Sequence, residues 1–425
     1  MRRLLLFGNW ALPTLLIRVC GMGVGFALNV CSARLLGTTG YGLLVIGLSI
    51  LSVLVIAVCV GVDQLAIKWV ALRVAGGVNR KSEVVIFYKQ ALLLLIISSG
   101  ICSVLGLMYL VIEKNYGVSL IFALIVTPLV AFTMLNEAVI RGLRHTLVST
   151  IASQLIRPVV SLLLIGLVFY MKIEPTISVV FILYGLGIAS AFLFSHYYVN
   201  NKLLLGLVNQ ANLGRDSCPS LIDMLSHTKG FFAVAIISVV LNKVDIMMLG
   251  MLVSEHDVGL YAAAYSLAFL VLVVLQVVNL VIAPELASAY SLKSKVKVRL
   301  LLSRSRWIGG GLAAPLFLAM LLIPRLLLSY MGEGFVAGEV VLQVLAVGML
   351  ANALFGSVGN FLMMSGHETL FAKIMLIAVL ASILLIFLVV PLYGIVGAAF
   401  AVSAVMIVWN FVAFLATQSI IRKMQ

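Results

Sequence analysis

The sequence predicts an all-α, polytopic integral membrane protein with about twelve transmembrane helices, arranged as two six-helix bundles related by pseudo-two-fold symmetry. Of the 425 residues, 64% are hydrophobic and only 10% are charged, whereas a soluble domain is roughly half apolar and a quarter charged. Apolar runs follow one another almost end to end, and a short motif recurs in both halves. This composition excludes a soluble enzyme, a nucleic-acid-binding protein and a disordered scaffold.

The apolar runs define the individual spans. Each run has about 20 residues, which is enough for a helix to cross the hydrocarbon core. We place the spans near Leu12–Ala33, Leu43–Val62, Val84–Val111, Val118–Leu135, Leu147–Tyr170, Ile177–Tyr197, Phe231–Met251, Ala262–Ala283, Trp307–Leu328, Val340–Met363, Ile374–Val390 and Ile395–Ala416.

The distribution of positive charge predicts the orientation. The formal net charge is +14, from 28 Lys and Arg against 14 Asp and Glu. If both termini are cytoplasmic, 21 of the 28 basic residues fall in cytoplasmic segments and four on the opposite side. Because cytoplasmic loops of membrane proteins are rich in Lys and Arg, we expect a multi-pass protein with both termini in the cytoplasm. The positive charge is therefore mostly a topology signal.

The longest polar connection, about Asn200–Lys229, divides the spans into six and six. We therefore expect an N-terminal bundle over residues 1–205, a cytoplasmic linker over 206–228 and a C-terminal bundle over 229–425. A faint repeat supports two related halves: Leu36-Gly37 precedes Gly40-Tyr41-Gly42, and Leu249-Gly250 precedes Gly259-Leu260-Tyr261. An even number of spans per repeat predicts parallel copies, and such transporters hold their substrate between the halves and rock them.

Arg18 is the first candidate for a substrate cavity, because it lies in the middle of the first span. At 100° per residue, Arg18, Gly21, Gly25 and Asn29 fall within one 80° sector of the helix. The glycines alone are typical of close helix packing. A charge within a span costs several kcal/mol unless it is paired or hydrated, so we favour a cavity role for Arg18.

Arg157 is the second deep cation, some thirteen residues after Arg144. Pro158 follows it and frees a backbone carbonyl, which the Arg157 guanidinium could satisfy. The sequence favours neither the cavity role nor this structural role.

The seventh span carries a polar cluster. Asn242 and Asp245 share a face with Ser238, whereas Lys243 points about 160° away from Asp245. We therefore expect Asp245 to meet a cation on another helix, with Arg18 as the candidate, and Lys243 to face the cavity.

Further polar residues lie at the ends of spans or singly within them. For Asp63, Glu137 and Glu285, near cytoplasmic span ends, we favour solvated gate or loop charges over proton coupling. Four amides are weaker cavity candidates, with hydrogen bonding between helices as the alternative: Gln276, Asn279, Asn352 and Asn360.

The sequence offers little for catalysis, so we assign no catalytic residue, no metal site and no cofactor. None of the five histidines is spaced with other ligands as metal sites require, and no phosphate-cradling motif occurs. This counts against a pump driven by its own ATP hydrolysis and favours ion coupling or passive flipping. The deep cations Arg18, Arg157 and Lys243 outnumber the deep carboxylate of Asp245, which favours an anionic substrate.

Several motifs resemble those of the polysaccharide-transporter (O-antigen flippase) family of the multidrug/oligosaccharidyl-lipid/polysaccharide exporter superfamily. They run through nearly the whole chain: Ala33-Arg34-Leu35-Leu36-Gly37-Thr38-Thr39-Gly40-Tyr41-Gly42, Asp245 with Leu249-Gly250 and Val258-Gly259-Leu260-Tyr261, Leu362-Met363-Met364-Ser365-Gly366, and Pro391-Leu392-Tyr393-Gly394-Ile395-Val396-Gly397-Ala398-Ala399.

The resemblance implies two six-helix bundles around a central cavity in the bacterial inner membrane. It implies that an undecaprenyl-diphosphate-linked oligosaccharide repeat is flipped to the periplasmic leaflet by alternating access, with protons or sodium as candidate coupling ions. It also implies a polysaccharide polymerase and chain-length proteins as partners. Cationic cavity residues are typical of such flippases and fit Arg18 and Arg157. Arg34 belongs to the outer-loop motif, as a periplasmic gate or a turn-stabilising group.

Two alternatives follow from the same residues. The first is an ion-coupled multidrug exporter of the same superfamily, against which the excess of deep cations counts. The second is a membrane polysaccharide polymerase, which the resemblance makes less favoured because such enzymes carry a large periplasmic loop that this sequence lacks.

Overall fold

The computed structural model describes residues 2–75, 81–112, 117–172, 176–201 and 221–424. Within these ranges the chain is helical and has no strand, which confirms the all-α prediction. The helices are α1 (Arg2–Cys59), α2 (Val62–Ala75), α3 (Lys81–Ile112), α4 (Gly117–Gly142), α5 (Thr146–Ile151), a π-helical segment (Ala152–Ile156), α6 (Arg157–Tyr170), α7 (Ile177–Val199), α8 (Leu221–Leu252), α9 (Glu255–Ser291), α10 (Lys295–Leu322), α11 (Pro324–Ser329), a 3₁₀ segment (Glu333–Gly338), α12 (Glu339–Phe355), α13 (Val358–Met364) and α14 (Glu368–Lys423).

The number of membrane spans agrees with the prediction. In the described part of the chain, nine helices are long and apolar enough to cross a membrane. Two of them are each two spans joined at a glycine with positive φ: Gly37 (φ 66°) divides α1, and Gly394 (φ 57°) divides α14. Only glycine adopts this backbone readily. With α8, which has 32 residues, the described ranges hold twelve helical segments of spanning length.

The chain divides into two compact units. Unit 1 comprises Met1–Leu35 and Gly47–Ile236, and unit 2 comprises Leu36–Ile46 and Ile237–Gln425. Unit 2 thus includes a short segment from the first half of the sequence. Much of the predicted linker over 206–228 lies outside the described residues, which omit 202–220.

Unit 1 is built around α4, which contacts α2, α3, α5 and α7. Aromatic stacking joins these helices: the rings of Phe122 and Phe181 lie 4.3 Å apart, and those of Trp69 and Phe87 lie 4.6 Å apart. The α4 helix buries residues on most of its circumference, because other helices surround it. The polar side chains of α4 therefore lie in the interior of this unit.

Unit 2 is built around α9, which packs on α10 and α12, while α12 also packs on α14. The two copies of the glycine-tyrosine repeat meet within this unit. A Cβ atom at Gly42 would collide with the backbone oxygen of Glu255, and one at Gly259 with that of Thr38. The Thr38 hydroxyl and His256 Nδ1 are hydrogen bonded at 2.8 Å. These glycines are required because the two backbones pass in contact.

Two predicted span boundaries are wrong. The predicted span Trp307–Leu328 ends at Leu322, because Pro324 cannot continue α10 and begins α11. The predicted span Val340–Met363 is not continuous: α12 ends at Phe355, Gly356 has a φ of 71°, and α13 begins at Val358. A helix that breaks in this way exposes backbone polar groups, which need a cavity or protein partners.

Candidate functional site

The interior of unit 1 contains a cluster of hydroxyl groups and ionisable groups. The hydroxyls of Ser32 on α1 and Tyr184 on α7 lie 3.0 Å apart, and both residues are buried. Ser32 also donates to the carbonyl oxygen of Leu28 at 2.7 Å. Arg157 on α6 interacts electrostatically with Tyr184 and with Glu137 on α4. Three spans therefore bring polar groups to the surroundings of Arg157.

Glu137 is more buried than a solvated loop charge, since only 8% of its surface is exposed. Its neighbour Asn136 is fully buried, accepts a hydrogen bond from the Tyr88 hydroxyl at 2.6 Å and donates to Ser195 Oγ at 3.3 Å. Sequence reasoning missed Ser32, Tyr88, Asn136 and Tyr184, because single hydroxyls and amides within spans are common. The Asn136-Glu137 pair was the available signal.

Arg157 follows a local change of helix type. The residues Ala152–Ile156 form a π-helical turn, and α6 begins at Arg157 with Pro158 in its first turn. A π turn widens the helix by one residue and is frequent at functional sites. It accommodates Pro158 without ending the span, so the helix continues past the proline and keeps Arg157 partly buried.

The predicted polar face of α1 has mixed surroundings. Arg18 and Asn29 are both partly exposed. Gly21 is in close contact with the backbone of Gln154, where a Cβ atom would collide with the carbonyl oxygen, whereas Gly25 has nothing within 4 Å of its Cβ position. The packing interpretation therefore holds for Gly21, and the face is open at Gly25.

The remaining gate candidates differ in burial. Asp63 is 7% exposed, and its carboxylate accepts a hydrogen bond from Gln64 at 2.7 Å. Arg34 and Glu285 are exposed. Asp63 and Glu137 are thus placed within the protein, whereas Arg34 and Glu285 face outwards.

In unit 2, Asp245 is buried on α8, with 4% of its surface exposed. Its carboxylate accepts hydrogen bonds from the Tyr261 hydroxyl at 2.9 Å and from the Ile246 N–H at 2.8 Å. Asn242 is exposed and Lys243 is partly buried. Arg18 belongs to unit 1 and Asp245 to unit 2, so the expected pairing of these two residues stays a prediction.

The four amides that the sequence analysis ranked as weaker candidates come together in unit 2. These four amides line a single cavity of about 200 Å³: Gln276, Asn279, Asn352 and Asn360. Other residues that line it are Asn410, Ser357, Phe371 and Trp409. The ion pairs found in the described ranges, Arg73–Glu83 at 2.7 Å and Arg325–Glu339 at 2.6 Å, lie elsewhere. Over the same ranges, no three His, Cys, Asp or Glu residues are grouped as a metal site would require.

The fold, with its long apolar helices, defines a multi-pass membrane protein. A family described as "Polysaccharide biosynthesis protein" matches residues 9–290. The chain therefore belongs to this polysaccharide biosynthesis family, and the predicted resemblance is confirmed. No curated protein sequence matches it.

Solved structures with a similar fold include the lipid II flippase MurJ in an inward closed conformation, at a TM-score of 0.71 and 10% identity over 95% of this chain and 87% of that one. An inward-facing multidrug resistance MATE family transporter of the MOP superfamily has a TM-score of 0.66 at 15% identity, covering 97% of this chain and 98% of that one. A MOP superfamily transporter from Pyrococcus furiosus has a TM-score of 0.55 at 13% identity, over 97% and 96%. At these identities the likeness shows the fold alone.

Proposed function

We propose that this protein is a flippase that moves an undecaprenyl-diphosphate-linked oligosaccharide across the bacterial inner membrane, by alternating access, for the assembly of a surface polysaccharide. The observation that carries the proposal is the family match over residues 9–290, in a chain with the fold shared by a lipid II flippase and the MATE transporters. A lipid-linked saccharide has an anionic diphosphate, a polar head and an apolar tail, and only the head must be shielded from the hydrocarbon.

The interior of unit 1 supports an anionic head group. Arg157 lies partly buried among Tyr184, Ser32 and Glu137, and neither ion pair of the described residues includes it. A guanidinium presents several donors in a planar fork and suits a phosphate geometrically. In this proposal Arg157 and Arg18, both in unit 1, compensate the diphosphate charge.

Buried carboxylates supply the candidates for ion coupling. Glu137, Asp63 and Asp245 are each less than a tenth exposed, and an ionisable group in a span is costly unless it has a function or a partner. We infer that Glu137, which lies near Arg157, is the first carboxylate to test for proton or sodium dependence. The exposed Arg34 and Glu285 are then gate residues rather than coupling residues.

The test is a deletion of the gene in the source bacterium, with lipid-linked saccharides and surface polymer both measured. The proposal predicts that saccharide accumulates on undecaprenyl diphosphate while the surface polymer is lost. Unchanged polymer with a fall in resistance to cationic dyes would instead identify a multidrug exporter. Loss of polymer without any lipid-linked intermediate of repeat-unit size would place the defect before flipping and contradict the proposal.

The same strain tests the two arginines. Arg18→Ala and Arg157→Ala should each lower export at least about tenfold, because a desolvated phosphate loses its compensating charge. The Lys variants should recover part of the export, since lysine keeps the charge but not the fork. Lys68→Ala is the matched control, because Lys68 is an exposed cation on α2. Normal export by both Ala variants, at wild-type protein levels in the membrane, would contradict the role of these residues.

A further inference from the structure

We propose that the amide-lined cavity of unit 2 binds one uncharged sugar ring, and that it is the place where the protein recognises the saccharide part of its substrate. This inference rests on the proposed function for its biological meaning, but it concerns a separate site. The cavity has a volume of about 200 Å³ and lies between α9, the α12–α13 break and α14.

The lining of this cavity contains no charged residue. Five side-chain amides converge on it: Gln276, Asn279, Asn352, Asn360 and Asn410. Each amide carries both donors and an acceptor, as each sugar hydroxyl does. Such a lining can therefore satisfy a polyhydroxylated ring from several sides. A diphosphate would instead require Arg or Lys, and a hard cation would favour carboxylates.

One amide of the cavity lining, that of Asn410, is only half paired. Its side chain is fully buried, and its amide nitrogen donates to the Met406 carbonyl oxygen at 2.8 Å. Its amide oxygen has no hydrogen-bond partner. Buried polar atoms are nearly always paired, so an exception calls for an explanation. The explanation offered here is that a ligand hydroxyl donates to this oxygen.

Asn279 and Ser357, which also line the cavity, are held by hydrogen bonds. Ser357 Oγ donates to Asn279 Oδ1 at 2.5 Å, and the Ser357 N–H donates to Ser305 Oγ at 3.1 Å. The amides of Gln276, Asn352 and Asn360 also line the cavity.

The backbone around the cavity is also specialised. The break between α12 and α13 at Gly356 contributes Gly356, Ser357, Gly359 and Asn360 to the lining. Non-helical backbone at membrane depth is tolerated where it lines a cavity, and interrupted helices mark binding sites in transporters. Because the helix is broken, residues that would otherwise lie along one helix face line the same cavity.

An aromatic wall completes the site. Trp409 and Phe371 meet edge to face, with ring centroids 6.4 Å apart. A Cβ atom at Gly359 would lie 3.0 Å from the Phe371 ring, so glycine allows this ring to pack closely. The faces of aromatic rings attract the C–H groups of an apolar surface, and a pyranose ring has such a surface between its hydroxyls. The combination of amides and aromatic rings distinguishes a sugar from an ion.

The size of the cavity limits what it can hold. Sites for drug-sized ligands have volumes of roughly 300–1,000 Å³, whereas this cavity has about 200 Å³. It therefore fits one ring of an oligosaccharide and not a whole repeat unit. The remaining sugars and the diphosphate must be held elsewhere.

The experiment measures saccharide binding to the purified full-length chain in nanodiscs, by the fluorescence of Trp409 in a variant whose other three tryptophans are Phe. The probes are the water-soluble saccharide released by mild acid from the lipid-linked pool of the deletion strain, and a panel of neutral monosaccharides. We expect at least one probe to change the emission saturably. Asn410→Leu should weaken that binding at least about tenfold, because it removes the acceptor while keeping the volume.

The controls separate binding from structure. Gln343→Ala is the matched amide control, since Gln343 lies on α12 but bonds to the Leu321 carbonyl oxygen outside the cavity; it should leave the affinity unchanged. Asn410→Leu should keep the thermal midpoint of the wild type within a few degrees, because it removes an unpartnered oxygen together with one hydrogen bond. Retained sugar binding in Asn410→Leu would overturn the proposal.

Two further outcomes would overturn it as well. Sodium or potassium alone could produce the same saturable signal, which would make the cavity an ion site. The second outcome is that no probe changes the emission, even at a concentration about a hundredfold above a millimolar Kd. A millimolar Kd corresponds to a binding free energy of roughly 4 kcal/mol. Failure of the flippase proposal is recognised separately, because the deletion strain would then accumulate no lipid-linked saccharide. The panel of neutral monosaccharides would still test the cavity in that case.

Discussion

The polar groups around Arg157 in unit 1 differ in kind from those that line the cavity of unit 2. Unit 1 surrounds the ionisable pair Glu137 and Arg157 with hydroxyl groups, whereas the cavity of unit 2 is lined by amides and aromatic rings without a charge. Charged groups in a membrane interior are costly and serve ions or charged ligands, while neutral amides suit hydroxyls. Under the two proposals above, the diphosphate charge and the sugar ring are bound in different parts of this chain.

The backbone differs in the same way. In unit 1 the span that carries Arg157 remains continuous, because a π turn over Ala152–Ile156 absorbs Pro158. In unit 2 the span that carries Asn352 and Asn360 is interrupted at Gly356. A widened helix displaces one side chain, whereas a broken helix also presents backbone groups to a cavity. Substitutions at matched positions can test how much each arrangement contributes to the free energy of unfolding.

The largest effect on stability is expected at the break in unit 2. Gly356→Ala places a side chain at φ 71° and brings its Cβ within 2.6 Å of Ser305 Oγ and 2.7 Å of Arg306 Cγ. The left-handed backbone and the overpacking together should lower the free energy of unfolding by roughly 2–5 kcal/mol. Gly366 also has a positive φ of 77° but has open space around it. Gly366→Ala should therefore cost only about 1–2 kcal/mol.

Thermal and denaturant unfolding of both variants in the same detergent provides the measurement. Equal losses of unfolding free energy at the two positions would show that the contacts around Gly356 relax. The break in unit 2 would then not be rigid, and its contrast with the continuous span of unit 1 would weaken.

The fold was largely accessible from the sequence because hydrophobic runs of spanning length are a strong physical signal. The positions of the two turns at Gly37 and Gly394 follow from their glycines, which permit positive φ. The interruption at Gly356 was missed, since Val340–Met363 is predominantly apolar and a glycine in such a run is compatible with a continuous helix. At the break, Ser305 and Arg306 pack so closely against Gly356 that a Cβ atom there would collide with both, and this contact is tertiary.

The site was less accessible, because charge attracts attention in an apolar sequence and amides do not. Arg157 and Asp245 were identified as deep ionisable residues, whereas Glu137 was expected to be a solvated charge at a span end and is instead buried. Asn279 and Asn352 were only weak candidates, since single amides in spans commonly bond to another helix. Their convergence on one cavity depends on the tertiary arrangement of α9, α12 and α14, which helical periodicity within one span does not give.

A second, smaller effect sharpens the description of unit 1. Gly21→Ala should lower the free energy of unfolding by about 1–3 kcal/mol, because its Cβ would collide with the backbone of Gln154, which cannot rotate away. Gly25→Ala has nothing within 4 Å of its Cβ and should be neutral or stabilise the helix by up to about 1 kcal/mol. Denaturant unfolding of the two variants measures the difference. A destabilised Gly25→Ala variant would mean that this face of α1 is packed rather than open.

The smallest effects compare the hydroxyl networks of the two units directly. Tyr261→Phe removes the side-chain donor to the buried Asp245 carboxyl group and leaves it only backbone N–H donors, that of Ile246 among them. We expect a loss of about 1.5 kcal/mol, near the upper end for hydrogen bonds within membrane proteins. Tyr184→Phe should cost only about 0.6 kcal/mol, because Ser32 keeps its bond to the Leu28 carbonyl oxygen. If Tyr184→Phe proves the more damaging in a denaturant titration, the hydroxyl cluster around Arg157 is more tightly coupled than the Asp245 pair. The strongest polar network of the chain would then lie in unit 1.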